Sequence, residues 1–392
     1  MVQVFRQVAV VAVIKCNRIL CLSGMLLFSA ASSALVLPED RVDTLYHSYD
    51  GGGIEVTGPS VLVRKSVIDS VSVTANYYVD SISSASIDVV TRASKYSEER
   101  TQLSASVDYL YDSSILSYSF SNSTENDYDA QTSNFVISQE MFAGLTTVAL
   151  SYKLGNNDIM MTGDDVFHEN SETKGYRVSL SQVLTKNMLM GAAYEVITDK
   201  GFLNNPYRTI RYEDSTGPLG YLWTSEIYPK SRTSNAIGLN LRYYLPYRAS
   251  ISGGYRYYID SWDIEAHTFD LGYVQPFDEK WLMDFSIRFY SQTKASFYSD
   301  LFEVTQSFMA RDKELSTFSD YSIGLGATYK LGRELLGIFE KSTVNFSYSY
   351  FVFTYDDFRN APDGEANNLQ GGTEPLYELN ANVIRLYLSA WF

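Results

Sequence analysis

The last eleven residues, NVIRLYLSAWF (Asn382–Phe392), decide the fold class. Counted back from Phe392, every second residue is apolar, namely Ala390, Leu388, Leu386 and Ile384. The other row is polar or amphipathic and consists of Trp391, Ser389, Tyr387 and Arg385. A period of two is the period of a β-strand with one face against an apolar medium. An aromatic last residue within such a strand is unusual, because most domains end in a frayed polar tail.

The same alternation recurs along the chain, in Leu103–Tyr111, Ile237–Tyr243, Trp281–Tyr290, Tyr321–Leu331 and Val344–Val352. All but the shorter Ile237–Tyr243 have about the 9–11 residues that a tilted strand needs to cross a bilayer. A soluble β-sandwich would also alternate. Three features favour the membrane: a Gly- and Ser-rich polar row with charges, Tyr and Trp at the ends of the apolar row, and links that alternate between short and long.

The composition excludes other classes. The chain has 392 residues, a mean hydropathy of −0.14 and 15% aromatic residues, including 32 Tyr. It is too polar for a bundle of membrane helices. Its net charge of −15 argues against a nucleic-acid partner, which would require a basic face.

The N-terminus has the pattern of a cleavable signal peptide. Arg6, Lys15 and Arg18 precede an apolar run, Ile19–Ala30, and the small residues before position 35 predict cleavage after Ala34. Residues 1–34 are therefore predicted to be the signal and residues 35–392 one barrel domain. A retained membrane anchor is the alternative. Both cysteines lie in the signal, so the mature chain is expected to contain no disulfide and no thiolate site.

The pattern predicts an all-β fold, a single transmembrane antiparallel β-barrel in the bacterial outer membrane. Fifteen candidate strands run from Ile54 to Phe392, and Arg41–Tyr49 adds a sixteenth by turning at Gly51-Gly52-Gly53; fourteen strands is the alternative. Closure satisfies every backbone group in lipid. Trp391 and Phe392 are then expected at the inner interface, where they resemble the signal read by the outer-membrane assembly machinery.

The polar rows supply the candidate site residues. Eight charged side chains are predicted to face the lumen: Asp108, Arg177, Glu195, Arg242, Asp284, Arg288, Lys330 and Arg385. Their mixed signs predict either weak ion selectivity or pairing across the barrel, and no one-sided basic ladder is evident. A predicted outer loop between Gly155 and Glu172 contains candidate ligands for a hard cation, the alternative being a solvated acidic surface. These are Asp158, Asp164, Asp165, His168, Glu169 and Glu172.

Several stretches resemble a family of proteobacterial outer-membrane β-barrels known only as a domain of unknown function. They are GGGIEVTGPSVLVRKS (Gly51–Ser66), NYYVDSISSASIDVVT (Asn76–Thr91), FLNNPYR (Phe202–Arg208), RYYLPYRA (Arg242–Ala249), FYSDLF (Phe297–Phe302), ARDKELSTFS (Ala310–Ser319) and YDDFRN (Tyr355–Asn360). The resemblance implies a barrel in the outer membrane. It also implies partners among small secreted lipoproteins, thioredoxin-like periplasmic redox proteins and flavin-transfer enzymes, and hence an envelope redox or metal-handling role.

Three function classes follow. A porin-like channel or transporter for small solutes needs only a polar lumen and long outer loops, both of which the sequence predicts. An anchoring barrel for lipoprotein, redox or metal-handling partners is suggested by the resemblance. An outer-membrane enzyme is not expected, because no nucleophile or cofactor motif is found and the three histidines lie far apart in sequence.

Overall fold

The computed structural model describes residues 35–84, 96–331 and 339–392, and within these ranges sixteen antiparallel strands form one closed barrel. The first strand pairs with the last over eleven residue pairs, from Arg41–Trp391 to Gly51–Ala381. The prediction of sixteen strands is confirmed, and the alternative of fourteen is wrong. The proposed signal, residues 1–34, lies outside the described residues.

The barrel strands are β1 (Arg41–Gly51), β2 (Ile54–Ile68), β3 (Val71–Ser84), β4 (Tyr96–Tyr111), β5 (Ser114–Thr124), β6 (Tyr128–Met141), β7 (Thr146–Met161), β8 (Asp164–Thr185), β9 (Met188–Gly201), β12 (Ser231–Tyr244), β13 (Ser250–Asp260), β14 (Glu265–Pro276), β15 (Trp281–Gln292), β16 (Phe318–Leu331), β17 (Lys341–Arg359) and β18 (Leu376–Trp391). Between β9 and β12, a separate two-stranded sheet consists of β10 (Thr209–Glu213) and β11 (Tyr221–Ser225). A short helix, α1 (Ala361–Ala366), precedes β18. Among the described residues, no helix is long and apolar enough to cross a membrane.

The two faces of the barrel wall differ as the alternation predicts. In β18, Leu386 is 50% exposed on the outer face, whereas its neighbour Arg385 is 8% exposed on the inner face. Leu325 in β16 is likewise exposed on the outer face. Outward rows of aliphatic and aromatic residues therefore form the lipid-facing surface, and the polar rows line the lumen.

Turn chemistry fixes the register of the first hairpin. Gly52 and Gly53 connect β1 to β2 with φ angles of 62° and 78°. Two consecutive residues with positive φ match the right-handed twist of the flanking strands, and glycine adopts this conformation without steric cost. The turn predicted at Gly51–Gly53 is confirmed.

The link lengths differ from the predicted pattern. We refer to the end that carries Arg41 and Trp391 as the inner end and to the opposite end as the outer end. Four outer links are short: Gly52–Gly53, Glu125–Asp127, Thr162–Gly163 and Ser261–Ile264. The strict alternation of short inner and long outer links is therefore wrong. In particular, β7 and β8 extend outward as one hairpin, so the predicted loop between Gly155 and Glu172 is mostly strand.

Three outer links are long, residues 202–230, 293–317 and 360–375, and we refer to them together as the cap. They contain β10, β11, α1 and a single 3-10 turn at Lys313–Leu315. All three links leave from the C-terminal half of the barrel. The link between β3 and β4, residues 85–95, lies outside the described residues.

Candidate functional site

Backbone contacts join the three links of the cap into one folded unit. Tyr212 of β10 forms a bridge with Phe302, and Ile227 forms another with Met309. The amide of Gly371 donates to the carbonyl of Leu219, which ties the third link to the first. The cap is therefore one assembly of three crossing segments.

A buried group of charges lies at the centre of the cap. Arg211 is 0% exposed, and its guanidinium contacts Asp300 of the second link and Glu374 of the third. Arg311 shares Asp300, at 2.9 Å. Burial alone would lower the pKa of Arg211, but the contacts with Asp300 and Glu374 outweigh burial and raise it. Each link thus supplies a charge that is neutralised by a charge of another link. The low local dielectric strengthens the attraction between these paired charges.

A large apolar cluster attaches the cap to the barrel wall at one side. It is formed by Tyr228, Trp262, Ile264, Ala295, Phe297, Tyr298, Ala310, Leu315, Tyr355, Phe358 and Leu379. Tyr355 and Leu379 are inward-facing residues of β17 and β18, as their register shows. The cap therefore packs inside the outer end of the barrel, against side chains that face the lumen.

The cap also contacts the opposite side of the wall. Phe202 packs on Tyr128 and Ile159, the inward-facing pair of β6 and β7. Tyr207 packs on a further cluster of β2 and β3 residues, and its hydroxyl donates to Asp127 in the link between β5 and β6. Since β6 and β7 lie across the barrel from β16 and β17, the cap spans the outer mouth.

Below the cap, the lumen is a cavity of about 1070 Å³, lined by β1–β6 on one side, by β14–β18 on the other, and by Tyr244 and Arg248 near the inner link between β12 and β13. It extends to Arg41, Lys341 and Trp391 at the inner ends of the strands. The barrel is thus closed by side chains at its outer end, whereas a cavity occupies its inner half.

The cavity is basic, although the chain is acidic. Among the described residues, seven basic side chains line it and three acidic ones: Arg41, Arg64, Arg100, Arg248, Lys330, Lys341 and Arg385, against Asp43, Asp80 and Asp284. This is a surplus of four positive charges, in a protein whose net charge is −15. The mixed signs predicted for the lumen thus include an excess of basic residues here, because basic residues that are distant in sequence face one space.

Just below the cap, side chains of neighbouring strands lie next to one another and form a row along the cavity wall. The register places His47 of β1 beside Arg385 of β18 and Gly58 of β2, and Asp80 of β3 beside Arg100 of β4. His47 Nε2 lies 2.7 Å from Asp80 Oδ1, and the other Asp80 oxygen accepts from Arg100. Asp80 is 1% exposed, so its charge depends on these two partners.

Gly58 makes the contact across β2 possible. A Cβ at this position would lie 1.7 Å from the carbonyl oxygen of Val79 in β3, a distance no real side chain tolerates. With no side chain between them, Asp80 reaches across β2 to His47. The aromatic ring of Tyr78 stacks on the His47 ring, with centroids 5.0 Å apart, and holds it against the wall.

Comparison with known proteins places the chain in a family. A family model matches residues 91–374, most of the chain. The chain belongs to the family described as "Protein of unknown function (DUF3570)". The predicted resemblance to an uncharacterised barrel family is thereby confirmed, and the family description assigns no activity. No curated protein matches the sequence.

Several solved structures are similar to this chain at low sequence identity. The chain superimposes on a bacterial polysaccharide outer membrane secretin with a TM-score of 0.51 and 8% identity, covering 90% of this chain and 98% of that one. The CymD monoaromatic hydrocarbon channel gives 0.43 and 8% identity, over 90% and 88% of the two chains. The siderophore receptor PirA from Pseudomonas aeruginosa gives 0.41 and 9% identity, over 83% of this chain and 60% of that one. Together with the lipid-facing rows, the closed fold makes the protein an outer-membrane β-barrel.

The eight lumen candidates all lie on inward rows of the register. They are Asp108, Arg177, Glu195, Arg242, Asp284, Arg288, Lys330 and Arg385. Asp108 accepts a hydrogen bond from Ser117 at 2.5 Å, and Arg177 lies opposite Glu195. Asp284, Lys330 and Arg385 line the cavity.

The structure distributes the acidic cation candidates along a hairpin. Asp158 lies opposite Asn170, His168 opposite Met160 and Glu169 opposite Ile159, while Asp164 accepts from the backbone of Val166 and Phe167. The full set of candidates was Asp158, Asp164, Asp165, His168, Glu169 and Glu172. Within the described residues, they do not form a group of closely spaced ligand atoms.

A different acidic group does form, at the outer rim. Carboxylate oxygens of Glu98, Glu125 and Asp127 lie within 4.8 Å of one another. Burial raises the pKa of Glu125 to about 8, Arg100 opposes the rise, and Glu98 and Asp127 add to it. Such a group can share a proton or hold a hard cation. Sequence reasoning missed it because Glu98 lies on a different strand.

The assembly residues lie at the inner end, as predicted. Trp391 is the last residue of β18 and pairs with Arg41. The amide of Phe392 lies 3.4 Å from the carbonyl oxygen of Asp40, and the Lys65 ammonium lies 4.8 Å from its ring centroid. Recognition of these residues by the assembly machinery is still an expectation.

The residues that form the cap were present in the quoted motifs. FLNNPYR supplies Arg208 and FYSDLF supplies Asp300, while ARDKELSTFS supplies Arg311 and Asp312. The sequence did contain a signal for the cap. These segments are rich in charged residues and lack the two-residue alternation of a strand. The alternating charge signs of Ala310–Glu314 are typical of a solvated or mutually paired loop. In the structure, Arg311 pairs with Asp300 and Asp312 pairs with Arg208, inside the outer end of the barrel.

Proposed function

We propose that the protein is a capped outer-membrane channel for small polar solutes. The observation that carries the proposal is the combination of a cap packed against opposite sides of the wall and a charged cavity beneath it. A solute could cross only when the cap moves. The ion pairs between the three links would then hold the cap closed. We refer to Arg211, Asp300, Arg311 and Glu374 together as the latch.

Arg211 is the centre of this latch. It joins all three links, because it belongs to the first and contacts Asp300 and Glu374 of the other two. Removing the guanidinium would leave Glu374 buried without its cation and Asp300 with Arg311 alone. Breaking a buried ion pair by removing one partner typically costs about 3–5 kcal/mol. The barrel wall does not depend on these contacts, so the cap should loosen while the barrel persists.

Planar-bilayer conductance tests the proposal. The wild-type protein is expected to show low or intermittent conductance, and Arg211→Ala to show frequent, larger openings. Lys294→Ala is the matched control, since it also removes a positive charge from the cap but one that is 53% exposed and 3.9 Å from its partner Asp357. Heat-modifiable migration verifies folding, and protease sensitivity of the cap reports its release.

Two outcomes would reject the channel. One is steady wild-type conductance equal to that of Arg211→Ala, which would mean that the cap does not gate. The other is a cap that becomes protease-sensitive in Arg211→Ala without any conductance.

An anchoring role for periplasmic partners is a second proposal, supported by the extent of the cavity to the inner end of the barrel. A small lipoprotein or redox protein could reach the cavity from that side. Stoichiometric recovery of such a protein with the native barrel would favour anchoring, whereas a barrel purified alone under mild conditions would count against it. Neither proposal assigns an enzymatic reaction to the chain.

A further inference from the structure

Arg385 is a buried cation that has no counter-ion within the described part of the chain. It faces the cavity from β18 and is 8% exposed. Among the described residues, no carboxylate lies within ion-pair distance of it and no hydrogen-bond partner contacts it. By contrast, Arg100 contacts Asp80 and Arg232 contacts Asp260. A buried charge is costly unless it is paired, so this position favours an anion.

The register places two polar side chains beside Arg385. His47 lies directly opposite on β1, and Ser347 directly opposite on β17. Because neighbouring strands lie about 4.8 Å apart, the three side chains project into one part of the cavity. Nδ1 of His47 is buried and has no hydrogen-bond partner among the described residues. The Arg385 guanidinium, the His47 ring and the Ser347 hydroxyl thus line one part of the cavity.

The nearby carboxylates lie closer to other cations. Asp80 contacts His47 and Arg100. Asp43 forms an ion pair with Arg41 at 3.0 Å, although neither of its oxygens accepts a hydrogen bond from a described residue. The positive surplus of the cavity therefore acts on Arg385 with no acid of the described residues within ion-pair distance of it. A cavity of one charge sign with low-dielectric walls concentrates solutes of the opposite sign.

Guanidinium geometry indicates the ligand class. The planar fork of arginine binds the two oxygens of a carboxylate or phosphate in parallel. The cavity volume of about 1070 Å³ suits a small organic molecule. We propose that Arg385, His47 and Ser347 form a binding site for the oxyanion group of a small solute, a carboxylate or a phosphate. This inference rests on the proposed channel function and specifies the charge of its solute.

Equilibrium binding to the purified, folded barrel tests the site. Isothermal titration would use two probes, succinate and inorganic phosphate, against wild type, Arg385→Gln and Lys330→Gln. Lys330 is the matched control, because it lines the same cavity but is exposed. The expected loss of affinity is about tenfold or more for Arg385→Gln, as for a charged hydrogen-bonded pair, and roughly twofold for Lys330→Gln. Preference for one probe identifies whether the site suits carboxylates or phosphates.

Arg385→Lys keeps the charge and loses the fork, so it is expected to bind with intermediate affinity. Arg385→Lys also takes the place of Arg385→Gln in the titration if Arg385→Gln shows no heat-modifiable migration and is therefore not folded. The proposal is overturned if wild type binds neither probe, or if Arg385→Gln and Lys330→Gln weaken binding equally, which would indicate diffuse attraction.

The two proposals fail separately. Binding at equilibrium requires no passage through the barrel, so an anion-binding barrel without conductance would reject the channel and keep the site. A conducting barrel that binds neither anion would reject the site and keep the channel.

Discussion

The outer and inner halves of the lumen are lined by the same sixteen strands but contain different interiors. In the outer half, the inward rows contact a cap, and the central charges of the cap are paired within it. In the inner half, the inward rows face a cavity, and Arg385 has no counter-ion among the described residues. One closed barrel wall thus surrounds a packed core at its outer end and a charged cavity at its inner end.

The inward-facing residues of a single strand show the same difference. Along β18, inward residues change from Tyr377 and Leu379 at the outer end to Arg385 and Ser389 at the inner end. Large apolar side chains that face a lumen are unfavourable in water and require something to cover them. The number of apolar residues at the outer end of an inward row therefore indicates how far a cap extends into the lumen.

The largest expected effect is on the packed half. Phe358 is 0% exposed and contacts Tyr355, Tyr377 and the guanidinium of Arg311. Phe358→Ala should destabilise the cap by about 3–5 kcal/mol, the usual cost of truncating a buried phenylalanine. Hydrogen exchange of cap amides measures the change.

Phe346→Ala is the control, because Phe346 lies on the same strand but is 46% exposed on the lipid face. It should leave cap exchange unchanged. Equal protection of the cap in wild type and Phe358→Ala would mean that the outer half is not a packed core.

An intermediate effect is expected at the boundary between the halves. Gly58→Ala places a Cβ against the Val79 carbonyl and forces β2 away from β3. Overpacking of this kind costs about 1–3 kcal/mol, and the displacement should break the contact between His47 and Asp80. The thermal midpoint and the imidazole resonances of His47 report both changes.

For comparison, Gly253→Ala meets nothing closer than a Leu271 methyl group at 3.9 Å. It should be neutral within about 0.5 kcal/mol. A Gly58→Ala protein with an unchanged His47 resonance would show that β2 does not need glycine there.

Per unit of pH, the smallest effect concerns Glu125 at the rim, whose pKa burial raises to about 8 from an ordinary value of 4.5. The folded state then holds a proton that the unfolded state releases. Stability should fall as the pH rises from about 4.5 towards 8, by at most about 1.4 kcal/mol per pH unit. Glu125→Gln should flatten this dependence.

Thermal midpoints between pH 5 and pH 9 measure the effect. Glu169→Gln, at an exposed position of the neighbouring hairpin, should keep the wild-type profile. Parallel profiles for wild type and Glu125→Gln would assign the pH dependence to another group.

The alternation predicted the wall, because the direction of a side chain in a strand depends only on its sequence neighbours. Leu325 and Arg385 were placed on the correct faces for this reason. The cap could not be predicted in this way. Arg211 and Glu374 are separated by 163 positions, and no periodicity connects them. The contact between His47 and Asp80 depends in turn on the missing side chain of Gly58.

The position of Glu374 connects closure of the sheet with closure of the cap. Glu374 lies just before β18, the strand that completes the sheet by pairing with β1. Arg211 lies 163 positions upstream, so it gains one of its two counter-charges only when the segment before β18 is in place. That one segment therefore contributes both to an ion pair of the cap and to the pairing of the first and last strands.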